Sequence, residues 1–281
     1  MSCITKTPAF ILLPPLIFCA VFSGFLTGAN VSYASKFKKT SSRHDLSYTI
    51  GKADKAFYAM NYEAADSLYS SVLETDPGNP DANWKLARLY VSMGESLPPE
   101  KPEERQPYYE KAVLHAEVSI KNNENIADGH TWLAASLGVL ADNIGPREKI
   151  KRANIIKSEL DRALELNPHD DVALSILGSF NREIADMGWF EKVFAKTFLG
   201  SLPKGSQEEA EKMLKKAIAI NPRIIRHYHE LGKLYKDMKR YEEAVEVLNE
   251  ALNKPVLMKS DERRLQNIRK MIKKLSKKID G

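Results

Sequence analysis

Cysteine is almost absent. The only two in 281 residues, Cys3 and Cys19, lie inside an N-terminal apolar segment, so neither a disulfide framework nor a cysteine-based metal site can form in the rest of the chain. Histidine is scarce too, six in all, and only His227 and His229 are close in sequence; two residues apart on a helix they point to different faces, which argues against a metal site. There is no Gly-x-Ser-x-Gly elbow, no His-Glu-x-x-His zinc helix and no glycine-rich phosphate loop. The expectation is a protein that is not an enzyme and takes no cofactor and no metal. Its most basic segment, Lys259 to Gly281, has no aromatic residue on which a base could stack, which argues against nucleic acid.

What is present is a recurring helix-pair pattern. Tyr228, Leu231, Gly232, Tyr235, Tyr241, Ala244, Leu248, Ala251 and Pro255 carry the spacing of a tetratricopeptide repeat, about 34 residues long. Small residues at Gly232, Ala244 and Ala251 let two antiparallel helices approach, and the larger ones fill the space between them. Ala65, Tyr69, Val72 and Pro77 repeat the second-helix spacing. Trp84, Trp132 and the Leu177-Gly178 pair open further units, completed around Ala112, Ala163 and Ala210. Asn167-Pro168 and Asn221-Pro222 end helices, because proline lacks the amide donor and restricts the residue before it. The fold class is therefore all-α, a tetratricopeptide-repeat solenoid of about five helix pairs with a C-terminal capping helix.

Residues 1–34 read as a signal peptide or a membrane anchor: Lys6, an apolar run over 8–29, then small residues up to a cleavage position after Ala34. An uncleaved anchor competes, since the run approaches the roughly 20 residues that span a bilayer. The first reading exports the protein to a periplasmic or extracytoplasmic space; the alternative holds it on a membrane through 8–29. A linker over 35–46 leads to the array, 47–258, which has insertions at 94–106 and 187–205. The first is a polar surface loop. The second carries Trp189, Phe190, Phe194 and Phe198, more apolar load than a solvated loop holds; it either packs as core or lids an apolar pocket. In 259–281, nine basic residues face three acidic ones, and Leu265, Ile268, Ile272 and Leu275 recur at helical spacing. That basic amphipathic helix reads as a cap, with contact to an acidic partner or anionic lipid as the other reading.

The repeat register assigns side chains to the concave groove. Leu89 and Met93, then His130, Leu133, Leu137 and Leu140 with Ala141, form an apolar centre. Ser175, Ser179, Arg182 and Glu183, then Arg226, His229, Lys233 and Lys236, form a polar flank. An apolar floor beside cations suits a phospholipid or an acidic protein partner with hydrophobic anchors; a floor covered by other parts of the chain fits the same residues.

Beyond the repeat, Trp132 with the run from Gly145 to Lys157, the segment Ala163 to Pro168, and the stretch Ala185-Asp186-Met187-Gly188-Trp189-Phe190 through Pro203 resemble the regulator of microtubule dynamics family. The resemblance covers Asp81 to the C-terminus. It implies a tetratricopeptide protein of the kind that associates with microtubules, or, as in a tyrosine-phosphatase-interacting member, a tether whose repeats bind and transfer phospholipid. The secretory look of the N-terminus and the lack of a long acidic linker set this chain apart, as an exported and bacterial-type relative. Tubulin would be a partner, through the basic C-terminal helix, only of a cytosolic, eukaryotic chain.

Overall fold

The computed structural model describes residues 45–187 and 205–280. The signal or anchor segment, and Trp189, Phe190, Phe194 and Phe198 of the expected lid, lie outside the described residues.

Local chemistry sets where the helices begin. After α1 (45–58), Asn61 caps α2 (Tyr62–Thr75) by accepting a bond from the Ala64 amide at 3.2 Å. Asn79 does the same for α3 (Pro80–Ser96), through the Ala82 amide at 3.0 Å. Proline occupies the first helical position of α3, of α4 (Pro102–Asn122) and, after α5 (Ala127–Ile144), of α6 (Pro146–Leu166). Asp170 caps α7 (Asp171–Asp186) and Ser206 caps α8 (Gln207–Ile220). The last elements are α9 (Ile225–Asp237), α10 (Tyr241–Leu252) and α11 (Lys259–Ile279). Among the described residues, sequential helices pair into five hairpins, and α11 packs on the last of them, so the solenoid with a capping helix stands. Within 94–106, α3 continues through Ser96 and α4 starts at Pro102, leaving 97–101 as the connection.

The first and last hairpins share one turn. Met60 (φ 59°) and Lys239 (φ 61°) both take the left-handed conformation, and the next amide reaches back to close the preceding helix, Asn61 N to Ala56 O at 2.9 Å and Arg240 N to Tyr235 O at 2.8 Å.

Small residues sit where helices cross. A side chain added at Gly178 would meet Leu214, and one at Gly232 would meet Leu248 at 2.5 Å, so the pairs α7–α8 and α9–α10 need glycine there. Two buried cores result. The first runs from Ala53 and Phe57 of α1 through Leu86, Leu89, Leu160 and Ala163 to Ala173 and Leu177 of α7. The second joins Ala210 and Leu214 of α8 to Tyr228, Leu234, Leu248, Leu265 and Ile268 of α9 to α11.

Candidate functional site

Between these two cores lies a cavity of about 350 Å³. Its walls differ in kind. On the side of α5 to α7, Val139, Ala153, Ile156, Ile176, Phe180 and Ile184 present carbon, and Met187 continues that wall at the edge of the described residues. The opposite side is polar: Arg226, His229, Glu230 and Lys233 from α9, Ser260, Arg263, Arg264 and Asn267 from α11, and Glu95 from the last turn of α3. At the rim, Lys149 pairs with Asp142 at 2.5 Å and Glu183 at 3.1 Å.

The polar wall is internally compensated. Arg226 forms a paired contact with both carboxylate oxygens of Glu95, and Arg264 stands 3.7 Å from the same group. Burial pushes the Glu95 carboxyl upward, but the charges of Arg226 and Arg264 outweigh it and hold the group below its ordinary value. Glu230 behaves alike: burial raises it, and Lys233 (2.8 Å), His229 and Arg182 bring it far below the usual range. Burial, reinforced by Lys233, drives His229 down to about 3, so it is neutral at physiological pH. Arg263 differs from its neighbours in donating to backbone carbonyls, those of Ser96 (3.4 Å), Leu97 (2.8 Å) and Glu95.

Several residues expected in the groove sit elsewhere. Leu89, Leu133, Leu137 and Leu140 are buried in helix packing, and Met93 is half-buried against the first core. None of the five lines the cavity: Leu89 and Met93 of α3 face the first core, and α5, packed between α3, α4, α6 and α7, shows the cavity its next face, at Gly138, Val139, Ala141 and Asp142. His130 is buried, with Nδ1 2.6 Å from Glu159 and Nε2 2.9 Å from the Glu124 carbonyl, joining the start of α5 to α6. Arg182 is held by Asp237 at 2.8 Å and ties α7 to α9. Lys233 lines the cavity, as do Ala141, Ser175, Ser179, Glu183, Arg226 and His229 from the same register. His227 and His229 do part, His227 turning to Asp171 at 2.8 Å. Sequence reasoning missed Glu95, Arg263 and Arg264. One signal was there: two arginines in the first turns of α11 oppose the helix dipole, which favours anions at that end, so something else had to hold them.

A second surface lies on α11 itself. Its apolar stripe, Leu265, Ile268 and Leu275, is buried, while Arg269, Lys270, Lys273, Lys274, Lys277 and Lys278 are exposed. Lys278 stands over the Tyr241 ring; the other five form no ion pair among the described residues.

A family model described as regulator of microtubule dynamics protein 1-3 matches residues 49–276. Regulator of microtubule dynamics protein 1 of Bos taurus is 25% identical over 248 residues, covering 88% of this chain and 77% of that protein. The Mus musculus protein of the same name is 26% identical, covering 76% and 68%. Regulator of microtubule dynamics protein 3 of Bos taurus is 32% identical, over 64% of this chain and 38% of its own. Among solved structures, a thermophilic tetratricopeptide repeat protein of Thermus thermophilus superposes with a TM-score of 0.56 at 17% identity, over 82% of this chain and 98% of that one. These mammalian relatives, named for regulating microtubules, overturn the expectation of an exported or membrane-anchored protein of bacterial type. Among the described residues, no helix is long and apolar enough to cross a membrane.

Proposed function

The chain belongs to the regulator of microtubule dynamics family, and from that premise we propose that it is a non-enzymatic helical-repeat adaptor that engages an acidic protein partner, the tails of tubulin, through the exposed face of α11. The observation that carries this reading is charge left over: five exposed cations on three successive turns form no ion pair among the described residues, whereas the cations of the cavity are already bound within the chain. A dense cationic face attracts flexible acidic segments over the Debye length, about 8 Å at physiological salt. The electrostatics of the cavity support a non-enzymatic reading as well. Glu95 and Glu230 are held ionised by their basic partners, and His229, with a pKa of about 3, is too weak a base to take a proton near neutrality.

Co-sedimentation with microtubules tests the reading. Replacing Lys270, Lys273, Lys274 and Lys277 with glutamate should weaken binding at least tenfold and remove its dependence on salt. Failure of the unaltered protein to sediment, or equal sedimentation of the variant, would sink it.

The carbon-lined wall of the cavity favours a second reading, in which a phospholipid or an apolar segment of a protein partner lies along Val139, Ile176 and Phe180. Native mass spectrometry of protein purified without detergent should show a bound amphiphile that is lost on Ile176→Asp. A clean apo mass for the unaltered protein removes this reading and leaves the first untouched.

A further inference from the structure

The start of α11 does something a cap does not. A capping helix covers the last repeat; this one also reaches back to the first two. Lys259 donates its amide to the Tyr62 hydroxyl at 3.3 Å, and Met258 places its sulfur 3.9 Å from the same oxygen. Arg263 crosses to the C-terminal end of α3 and satisfies carbonyls of Glu95, Ser96 and Leu97, groups that a helix end leaves without partners of its own. Arg264 adds its charge to the Glu95 carboxylate. Ser260, Arg263, Arg264 and Asn267 thereby become one wall of the cavity.

We propose that the first turns of α11 are a latch, which closes the cavity by gripping the end of α3 and opens it by letting go.

Three features make the grip reversible. Its contacts with α2 and α3 are hydrogen bonds, ion pairs and the Lys259 ammonium over the Tyr62 ring, with Met258 as the apolar addition, while the stripe that anchors the helix, Leu265, Ile268 and Leu275, belongs to the second core and stays there. Release strands no charge. Glu95 keeps Arg226, Arg264 keeps Asp261 at 2.7 Å, and the freed α3 carbonyls turn to water. The turn that must move is also self-supporting, because Asp261 accepts the amides of Leu257 (3.1 Å) and Met258 (3.0 Å) and so holds the start of the helix together off its seat. The latch is independent of what occupies the cavity.

The test uses the full chain with Cys3→Ser, Cys19→Ser and a reporter, Val139→Cys, on the cavity wall. Closed, the reporter should react slowly with a soluble maleimide. Arg263→Ala should raise that rate about tenfold and speed amide exchange over 258–264 and the last turn of α3, with exchange in α5 and α6 unchanged. Glu95→Gln should act in the same direction, and Arg263→Lys should fall between. Unchanged labelling and exchange in both Arg263→Ala and Glu95→Gln would overturn the latch. So would acceleration spread evenly over α3 to α7, which would make Arg263 a general stabiliser.

Discussion

The contacts inside each core and the contacts between the two cores are made of different material. Inside the first, Leu86, Ala87, Ala112 and Ala116 close the α3–α4 pair with no exposed atoms. Inside the second, Leu234, Ala244, Leu248 and Ala251 do the same for α9–α10. Between them, Leu214 of α8 lies over Gly178 of α7, and Met213 of α8 and Met258, ahead of α11, pack against the first core. The polar ties include Arg182 to Asp237, His227 to Asp171, Arg226 and Arg264 to Glu95, Arg263 to the α3 carbonyls, and Lys259 to Tyr62. Burial of apolar surface is strong and non-directional, whereas partly solvated ion pairs contribute little net stability but fix geometry. That difference makes the seam, along which the cavity lies, more polar than the two blocks it joins.

The largest effect should come from truncating the cores. Leu160→Ala in the first and Leu248→Ala in the second each remove a fully buried side chain and should destabilise by about 2–5 kcal/mol. If the seam separates the blocks, native-state hydrogen exchange will show Leu248→Ala loosening α8 to α11 while α3 to α6 keep their protection. Uniform loss of protection would mean one cooperative unit and would dissolve the comparison.

How much of this was legible in the sequence follows the same division. The helix pairs were legible because packing at a crossing demands a small residue at a fixed offset, and Gly178, Gly232, Ala163 and Ala251 stand at those offsets. The polar flank of the cavity was legible from the same register, through Ser175, Glu183, Arg226, His229 and Lys233. The apolar floor was not. Leu133, Leu137 and Leu140 have the composition of a groove, but a helix packed against neighbours on several sides buries its largest residues in them. Nor was Glu95 legible, because its partner Arg226 is 131 positions away and no local pattern registers a pair made by the return of the chain on itself.

Acid should affect the seam in a way that sharpens the contrast by about 2 kcal/mol. His229 is buried neutral with a pKa of about 3, below the ordinary 6.5, so the unfolded chain binds a proton that the folded one does not. Its contribution is fully present above pH 6.5 and is lost as pH falls toward 3. Between pH 6.5 and 5 that amounts to about 2 kcal/mol, at 1.36 kcal/mol per unit. Burial also holds His115 of α4 below its ordinary value, so the first block weakens in acid as well. His229→Gln separates the two: it should flatten the pH dependence of exchange in α9 to α11 and leave that of α3 and α4 as it was.

The smallest effect compares the two ends of the array at their shared turn. Met60 and Lys239 hold the left-handed conformation in which a side chain is disfavoured by about 1–2 kcal/mol, and glycine escapes that strain while adding freedom to the unfolded chain. Met60→Gly and Lys239→Gly should therefore each stabilise by about 0.5–1 kcal/mol. Met60 also packs against the first core, whereas Lys239 has no such contact, so the gain should be larger at Lys239. Chemical denaturation of the two variants would measure it. An equal gain at both positions would show that the turn sets its own energy at each end, whichever block it closes.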